Sequence, residues 1–584
     1  MFKLTYLLPI SLFLLLIVFY IALPPLRSCL LGDNSPRRMS ARDWLIVAGI
    51  SLAYAAVAFT GLGNTHSPET FHRFEGESVV MEIEEDVYPS RIMLFTGIDT
   101  GTYTIEFSLD GGYYYNALSF EQNYAEVLKW EELTPSLTFM PKYVRISASN
   151  GSPYLGELVL LDGDGQPIPL SCDIGELCDE QTLAPSDINF LNSSYFDEIY
   201  HARTAWEHLN TVYPYEVTHP PLGKLIISLG ILLFGMTPFG WRFMGTFFGV
   251  LMLPIMYVLA KKLFGGKSVP ACCTIVFAFD FMHFAQTRIS TIDTYSVFFI
   301  LLMYLFMYLF ITSDRRLFLA LSGVFFGFGA ASKWTCFYAG AGLAVIWALY
   351  WIFNRKKGVK AFLNNCLFCV AFFVLVPALI YYLSYFPYGQ AIGLSGVGMY
   401  FKPEYLKAVW DNQVFMFTYH SGLVAEHPYS SVWYQWLLDI RPILYYLKYY
   451  GDGTRSSFGA YVSPLLCWGG LLAIFVLLYS AIFRRDKKAL FILIGYFAQL
   501  VPWLFVTRLT FAYHYFPSTV FLVLALGYVF DIMRLGTKRW RIYVYSFAAA
   551  SLALFALFYP TISGAVVDNA EASSLFAWLP TWPF

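Results

Sequence analysis

The sequence predicts a polytopic α-helical membrane protein with a β-sandwich on its outer side, and three observations support this fold class. Hydrophobic residues make up 57% of the 584 residues and charged residues only 13%, whereas a soluble domain carries roughly 25% charged residues. Apolar stretches long enough to cross a membrane recur along the chain. One long segment instead shows the period-two alternation of strands. The 38 basic and 40 acidic residues nearly cancel, which argues against a nucleic-acid partner.

Twelve apolar stretches of about 17 to 25 residues are predicted to span the bilayer, whose hydrocarbon core a helix of about 20 residues can cross. They lie at residues 4–24, 44–62, 243–260, 268–286, 292–312, 317–332, 335–353, 361–384, 461–483, 489–506, 511–530 and 542–560. The first stretch is either a signal peptide or a retained anchor. Its long apolar core, followed by Leu23-Pro24-Pro25-Leu26-Arg27, favours the anchor because no small-x-small cleavage pattern is present.

The distribution of Lys and Arg predicts the orientation, because cytoplasmic loops retain positive charge. Six clusters hold 21 of the 38 basic residues, and five acidic residues lie within them or up to three residues away, which leaves 17 basic and 35 acidic residues elsewhere. These clusters lie at residues 27–42, 261–267, 315–316, 355–360, 484–488 and 534–541. All six fall on one side only if the short apolar segment 222–234 lies in the membrane interface. Residues 63–242, 385–460 and the C-terminal tail are then outside.

The outer segment 63–190 is predicted to form the β-sandwich. Alternating runs separated by Asp-Gly, Asn-Gly and Gly-Asp-Gly turns indicate short antiparallel strands; they include residues 79–83, 103–107, 143–146 and 158–161. The stretches 103–112 and 143–163 resemble discoidin-like (galactose-binding-like) jelly rolls. The β-sandwich can be interpreted either as a glycan-binding module or as a spacer or docking domain. Cys172 and Cys178 lie in this segment and are candidates for a small disulfide loop.

The predicted organisation follows from these spans. It comprises two N-terminal transmembrane helices (1–62), the β-sandwich (63–190), a first catalytic loop with juxtamembrane helices (191–242), transmembrane helices (243–384), an outer loop (385–460), C-terminal transmembrane helices (461–560) and an outer tail (561–584).

Ten polar residues at the predicted outer membrane edge are candidate site residues, since ionisable groups there are costly and usually functional. They are Asp197, Glu198, His219, Lys224, Arg242, Arg288, Asp293, Lys333, Arg508 and His514. Structural explanations compete with a functional one. Acidic residues favour a first helical turn, and Lys224 and Arg242 suit solvated span ends. Arg288 and Asp293 can pair with each other, and the aromatic residues around Arg508 are typical of an interfacial belt.

Taken together, these residue types suit transfer of a group away from a phosphate. A carboxylate can take a proton from an acceptor hydroxyl, while cations screen the charge of a phosphate leaving group. A screened phosphate diester departs without a general acid, so one base suffices. A glycosidase, in contrast, needs two carboxylates flanking the bond.

Six motifs occur in a recognisable order. They are Phe196-Asp197-Glu198, His219-Pro220-Pro221-Leu222-Gly223-Lys224, Trp241-Arg242-Phe243, Arg288 to Asp293, Ser332-Lys333-Trp334, and Pro502-Trp503 with Arg508 and Tyr513-His514-Tyr515. This order resembles the protein O-mannosyltransferase family, polytopic enzymes of the GT-C class that use lipid-phosphate sugars. The resemblance runs from about residue 44 to 560 and is interrupted by the β-sandwich. Eleven of the twelve predicted spans match the span count of that family, with 4–24 as an extra.

The resemblance implies inverting transfer of mannose from dolichyl or polyprenyl phosphate to Ser/Thr hydroxyls of proteins. It implies that Asp197 is the base or its essential partner, supported by Glu198. Lys224, Arg242 and Arg288 are implied near the lipid phosphate or the first-loop active site, and Asp293 has a structural or sugar-binding role. His219, Lys333, Arg508 and His514 complete the predicted substrate and phosphate site. The expected partners are the lipid-linked donor, a protein or cell-surface acceptor and membrane lipid; assistance by a divalent cation is left open.

Two departures from the eukaryotic enzymes suggest a bacterial relative acting at the outer face of the cell membrane. The segment 385–460 is too short for their β-trefoil (MIR) domain, and the β-sandwich is inserted before Asp197 instead. Within 385–460, an amphipathic helix over 405–419 and the aromatic run 433–436 are expected to cover the site. Both departures leave the acceptor open.

Three alternative functions are weighed against this one. A GT-C enzyme transferring another lipid-phosphate sugar to a lipid or surface polymer fits the same residues. A polar-lipid transporter usually has internal repeats and charges near the bilayer midplane, whereas this chain shows no repeat and places its charges at one edge. A pure adhesion module would need one membrane span rather than twelve.

Overall fold

The structure, a computed structural model, describes residues 37–584, so the predicted first span 4–24 lies outside the described residues. The α-helices are α1 (Ala41–Phe59), α2 (Glu198–Leu209), α3 (Leu222–Phe234), α4 (Pro238–Phe264), α5 (Ser268–Ala278), α6 (Phe281–Arg288), α7 (Asp293–Ser313), α8 (Arg316–Ser332), α9 (Cys336–Phe353), α10 (Val359–Val370), α11 (Val376–Ser384), α12 (Phe386–Ala391), α13 (Pro403–Gly422), α14 (Trp433–Trp436), α15 (Pro464–Phe483), α16 (Lys487–Leu500), α17 (Phe516–Gly536), α18 (Trp540–Phe558), α19 (Pro560–Ser563) and α20 (Asn569–Leu575). The strands are β1 (His72–Arg73), β2 (Ser78–Ile83), β3 (Arg91–Thr96), β4 (Gly101–Ser108), β5 (Tyr115–Gln122), β6 (Trp130–Leu133), β7 (Tyr143–Ser149), β8 (Tyr154–Leu161), β9 (Pro167–Ile168), β10 (Leu170–Cys172), β11 (Ile443–Tyr449), β12 (Thr454–Ala460) and β13 (Val567–Asp568).

The polytopic membrane architecture is confirmed. Within residues 37–584, nine helical segments are long and apolar enough to cross a membrane, and α5 with α6 forms a tenth candidate bent by 52°. Helix α8 is a shorter apolar helix of 17 residues. These eleven elements correspond to eleven of the twelve predicted spans. Helix α3 has 13 residues, a length of about 20 Å, which is too short for a ~30 Å hydrocarbon core.

The outer surfaces of several long helices are apolar, as lipid-facing surfaces are. Leu52 is 71% exposed, Leu367 70%, Leu472 69% and Phe475 61%. Helix α7, in contrast, is buried inside the protein over nearly all of its length. The long helices therefore divide into a buried centre and a surrounding layer that offers hydrocarbon side chains to the bilayer.

The predicted continuous span 268–286 is broken in the structure, and Asp280 provides the physical reason. Its Oδ2 accepts a hydrogen bond from the backbone N of His283 at 3.2 Å, which caps the start of α6. Its Oδ1 accepts from the backbone N of Ser463 at 2.8 Å. A side chain that caps a new helix favours a break at that residue. The bend at this break sets the direction of α6, which ends at Arg288.

Helix α6 packs unusually closely on α4 because two glycines face it. A Cβ on Gly245 would lie 2.9 Å from the carbonyl oxygen of Thr287, and a Cβ on Gly249 would lie 2.8 Å from the Thr287 side chain. The hydroxyl of Thr246 also donates to the Thr287 carbonyl at 3.1 Å. This close contact fixes the end of α6, where Arg288 lies.

The segment 63–190 forms two antiparallel five-stranded sheets. One has the order β1-β8-β3-β6 with β9 paired to β8, and the other has the order β10-β2-β7-β4-β5. Apolar side chains from both sheets share one core, which includes the fully buried Met81, Leu94, Ile105 and Leu158. Because strands of both sheets contribute to this core, the two sheets pack face to face as a sandwich. The predicted disulfide between Cys172 and Cys178 is present.

The sandwich belongs to a compact unit made of residues 61–209 and 227–244, and the remaining described residues, 37–60, 210–226 and 245–584, form a second compact unit. Inside the first unit, the strands bind the chain that leads into α2. The Ser194 backbone N donates to the Leu128 carbonyl at 2.9 Å, and the Ser194 hydroxyl donates to the Val127 carbonyl at 2.6 Å. The Trp130 backbone N donates to the Ser193 hydroxyl at 3.1 Å. The inserted strands thus fix the segment that precedes α2.

The segment 385–460 contains more regular structure than the sequence indicated. The predicted amphipathic helix over 405–419 is α13, which extends from Pro403 to Gly422. The aromatic run 433–436 forms the short helix α14. Strands β11 and β12 then form an antiparallel hairpin to which β13, from the C-terminal tail, adds a third strand.

Candidate functional site

Asp197 lies immediately before α2 in a tight turn. Its carbonyl accepts hydrogen bonds from the backbone N of Tyr200 and of His201, both at 3.1 Å, and its side chain is half-buried. Phe196, the residue before it, has a φ of 48°, a left-handed conformation that is costly for a bulky residue and is concentrated at functional sites. The amide groups of the first helical turn favour negative charge at such a position.

Glu198 and Arg242 form a fully buried ion pair in the same compact unit. Arg242 Nε donates to Glu198 Oε1 and Arg242 Nη2 donates to Glu198 Oε2, each at 2.7 Å. Trp241 Nε1 donates to Oε2 at 3.1 Å, and the backbone N of Tyr195 donates to Oε2 at 3.3 Å. One carboxylate therefore joins the start of α4 to the turn that carries Asp197.

The remaining donors of Arg242 also have partners. Nη1 donates to the carbonyls of Leu62 at 2.9 Å and Phe190 at 2.6 Å, and Nη2 donates to the Ser193 carbonyl at 3.0 Å. The guanidinium lies 4.7 Å from the centroid of the Tyr195 ring. The single buried guanidinium of Arg242 thus forms hydrogen bonds with the backbone at residues 62, 190 and 193.

In the other compact unit, Lys224 holds a short loop that presents His219. Lys224 is fully buried and forms an ion pair with the Glu216 carboxylate. Its Nζ also donates to the carbonyls of Glu216 at 2.7 Å and His219 at 2.9 Å. His219 Nδ1 lies 3.0 Å from Glu216 Oε1, so donation from Nδ1–H to this carboxylate leaves the basic lone pair on Nε2.

Helix α13 docks on the same loop. Asn412 Nδ2 donates to the Val217 carbonyl at 2.8 Å, and His420 Nε2 lies 2.8 Å from the Thr218 carbonyl. Because a carbonyl only accepts, His420 donates through Nε2. The His420 ring lies 5.3 Å from the His219 ring, centroid to centroid.

Asp293 and Lys333 form an ion pair across 40 residues of sequence. Lys333 Nζ donates to Asp293 Oδ1 at 2.7 Å, and both residues are buried. The sequence left open a pairing of Asp293 with Arg288. Arg288 Nη2 instead donates to the Thr60 carbonyl at 3.0 Å, and its guanidinium lies over the Phe284 ring.

Five basic side chains of this unit act on one another; we call them the basic cluster, and they are His219, Lys333, His420, Arg508 and His514. Lys333 Nζ lies 5.6 Å from the centroid of the Tyr513 ring, which stacks on His514 at 4.6 Å. His514 also lies against Trp503 and Trp436. The basic cluster thus places positive charge beside aromatic surface.

Burial, together with neighbouring basic groups, lowers the pKa of both His219 and His420, which favours their neutral forms. Burial, followed by the neighbouring basic groups of His219 and Arg508, lowers the pKa of His420 to about 4. Burial also lowers the pKa of His219, and the charges of Lys333 and Lys224 add to this effect while Glu216 opposes it. Lys333 and Arg508 therefore supply the permanent positive charge of the basic cluster, and positive charge there favours an anion.

The lowered pKa of His420 predicts a loss of stability in acid. The unfolded state binds a proton at His420 below about pH 6.5, while the folded state resists protonation until about pH 4. The free energy of unfolding should therefore fall as pH decreases through this window. Thermal unfolding of His420→Gln, whose amide can still donate to Thr218, should depend less steeply on pH. Equal pH slopes in the two proteins would contradict the prediction.

Glu216 and His420 were not among the ten predicted site residues. Glu216 lies three residues before His219, just ahead of the motif that contains His219 and Lys224, and this nearby carboxylate is the signal in the sequence that points to it. His420 follows the predicted amphipathic helix by one residue. Its proximity to His219 depends on the packing of α13, which the sequence pattern does not reveal.

Comparison with known proteins shows that two family models match this chain. The family model described as dolichyl-phosphate-mannose-protein mannosyltransferase matches residues 218–381, and the model of the C-terminal four-transmembrane region of protein O-mannosyltransferase matches residues 405–582. Eight of the ten predicted site residues lie within these ranges. Asp197 and Glu198 precede both.

Similar proteins agree with the family models. The polyprenol-phosphate-mannose–protein mannosyltransferase of Mycobacterium tuberculosis is 25% identical over 479 residues, which cover 69% of this chain and 90% of that relative. The enzyme of the same name from Corynebacterium glutamicum is 24% identical over 63% of this chain and 81% of its own length. A solved structure of the S. cerevisiae protein O-mannosyltransferase Pmt1-Pmt2 complex bound to the sugar donor matches with a TM-score of 0.59 at 14% identity, covering 67% of this chain and 89% of that chain.

The fold and the matched regions define a polytopic membrane glycosyltransferase of the GT-C class. The chain belongs to the protein O-mannosyltransferase family. The resemblance inferred from six motifs is confirmed.

Proposed function

We propose that this protein transfers mannose from a polyprenyl-phosphate carrier to a hydroxyl group of a protein, with inversion at the anomeric carbon. The basic cluster is the observation that carries the proposal, because it offers the charges of Lys333 and Arg508 beside aromatic surface to an anionic, sugar-bearing ligand. Relatives named polyprenol-phosphate-mannose–protein mannosyltransferase support the same substrates.

The basic cluster is proposed to hold the donor phosphate. When the bond between the sugar carbon C1 and the phosphate oxygen breaks, negative charge grows on the departing polyprenyl phosphate. Preorganised cations stabilise such a charge without a proton transfer to the leaving group. Lys333 and Arg508 supply permanent charge, while His219, whose Nδ1–H donates to Glu216, can accept a hydrogen bond at Nε2.

Asp197 is proposed to be the base. It would take the proton of the acceptor hydroxyl while the hydroxyl oxygen forms the new bond to C1 from the face opposite the phosphate. The products are the glycosylated acceptor, polyprenyl phosphate and a proton on Asp197. The half-buried position of Asp197 in a constrained turn supports this role, since a base must be held in a defined place.

Glu198, Arg242 and Lys224 are proposed to position the reacting groups. The sequence suggested a catalytic role for Glu198 and phosphate contacts for Lys224 and Arg242. However, the Glu198 carboxylate already accepts from Arg242, Trp241 and Tyr195. Lys224 and Arg242 are buried and bonded to carboxylates and carbonyls. Because their polar groups are already bonded within the protein, Glu198 and Arg242 orient the turn at Asp197, and Lys224 orients the loop at His219.

The reaction is proposed to take place on the outer face of a bacterial cell membrane. The six Lys/Arg clusters of the loops support this orientation, because positive charge is retained on the cytoplasmic side. A cysteine introduced at Lys357 should react with an impermeant thiol reagent only from the cytoplasmic side. Reaction from outside in intact cells would overturn the orientation.

The direct test supplies purified protein with a panel of polyprenyl-phosphate sugars and acceptors and identifies the products by mass. The expected result is transfer of one hexose from polyprenyl-phosphate mannose to a Ser/Thr-containing peptide. Transfer of a different sugar, or transfer only to a lipid or polysaccharide, would refute this assignment and favour another GT-C activity.

Removal of the Lys333 charge should slow transfer strongly. Lys333→Met is expected to lower kcat by about 10²- to 10³-fold, the loss typical of removing one group that stabilises developing negative charge. Lys407→Met is the matched control, because Lys407 is a lysine of α13 whose side chain is 76% exposed. Initial rates with saturating donor provide the measurement. A Lys333→Met rate within about threefold of the control would remove Lys333 from the proposed phosphate site.

A further inference from the structure

Three carboxylates lie together in the β-sandwich, apart from the residues assigned above. Glu157 belongs to β8, while Asp179 and Glu180 follow the disulfide-bonded Cys178. One oxygen from each of the three residues lies within 4.8 Å of the others. Three negative charges this close repel one another unless a proton or a cation lies among them.

Glu157 is the member that points to a ligand. Its side chain is fully buried, at 0% exposure. Its Oε2 accepts a hydrogen bond from the Glu180 backbone N at 3.1 Å. Its Oε1 is buried without a hydrogen-bond partner among the described residues, and leaving such an oxygen unsatisfied is costly. Burial and the charges of Asp179 and Glu180 raise the pKa of Glu157 to about 8.

The surrounding chain holds the other two carboxylates in place. Glu180 Oε2 accepts from the Glu69 backbone N at 2.9 Å, and the Thr70 hydroxyl donates to Asp179 Oδ1 at 3.3 Å. The disulfide fixes Cys178, the residue before Asp179, to the end of β10. Asp179 itself is exposed, so one side of the group is open to solvent.

We propose that Glu157, Asp179 and Glu180 bind one divalent cation, with Ca²⁺ the best match. The donor set consists of carboxylate oxygens, which hard cations prefer. Ca²⁺ accepts irregular geometry and completes its six to eight ligands with water, for which the exposed side at Asp179 leaves room. The bound ion would connect β8 to the segment after the disulfide.

The test uses the full-length purified protein, stripped with EDTA, and adds CaCl₂. Isothermal titration should show one site with a dissociation constant on the order of 10⁻⁴ to 10⁻³ M, the range of extracellular Ca²⁺ modules. Thermal unfolding should shift upward with CaCl₂ concentration. Glu157→Gln should weaken Ca²⁺ binding at least tenfold and remove the shift.

Two further variants keep the test decisive. Asp179→Asn changes an exposed residue and should also weaken Ca²⁺ binding, even if Glu157→Gln alters folding. Glu131→Gln is the matched control, because Glu131 is a half-buried carboxylate on β6 outside the group; it should bind Ca²⁺ like the unmodified protein. Absence of binding in the unmodified protein, or equal binding in all four proteins, would overturn the proposal.

Discussion

Replacement of Asp197 by Asn is expected to lower the rate of sugar transfer by about 10²- to 10⁴-fold, the contribution typical of a general base. The amide is nearly the same size as the carboxylate but cannot take the proton of the acceptor hydroxyl. The turn around Asp197 depends on its carbonyl, which receives hydrogen bonds from Tyr200 and His201. Folding and membrane insertion should therefore be preserved. Product formation by mass spectrometry under donor and acceptor saturation provides the measurement.

The control for this experiment is Asp164→Asn, which changes an exposed aspartate in a turn of the β-sandwich and should leave transfer unchanged. Size-exclusion profiles and thermal unfolding of both variants should match those of the unmodified protein. Near-normal turnover of Asp197→Asn would eliminate Asp197 as the base.

Arg242→Ala is expected to destabilise the protein by about 3–5 kcal/mol, the cost of leaving one partner of a buried ion pair without its countercharge. Glu198 is fully buried and loses two hydrogen bonds from the guanidinium in this variant. The carbonyls of Leu62, Phe190 and Ser193 lose their donors as well. Denaturant unfolding in detergent, followed by tryptophan fluorescence, measures the change.

Two comparisons distinguish the buried pair from a general effect of losing an arginine. Arg73→Ala removes an arginine whose side chain is 48% exposed and whose ion pair with Glu75 is also exposed, so its effect should be below about 1 kcal/mol. The double variant Glu198→Gln with Arg242→Met removes both charges and should recover part of the stability. A loss in Arg242→Ala no larger than in Arg73→Ala would show that the buried pair is not required for folding.

The membrane helices could be predicted because hydropathy and length report directly on the cost of placing a segment in lipid. The sandwich strands could be predicted because the runs at 79–83 and 103–107 alternate with the pleat. The break at Asp280 could not, because the same apolar stretch is compatible with a straight helix. The Asp280 carboxylate that caps α6 is also held by a hydrogen bond from the backbone N of Ser463, which is distant in sequence.

The site was predicted as a set of residues rather than as a set of contacts. Motif order identified Asp293 and Lys333 separately, but their pairing follows from the packing of α7 and α8. The short sequence distance between Arg288 and Asp293 had left a pairing of these two residues open instead. For the same reason, the sequence did not reveal that Lys224 and Arg242 are bonded to buried carboxylates. A basic residue at a span end gives the same sequence pattern whether it binds a ligand or a buried carboxylate.

The hydrogen bonds from the β-sandwich to Ser193 and Ser194 affect how this protein can be dissected. Removing the sandwich would also remove the carbonyls of Val127 and Leu128, which hold the chain leading to Asp197. A truncated enzyme that lost activity would therefore say nothing about what the sandwich binds. What the sandwich binds has to be tested by substitutions on its exposed loops, with the strands left intact.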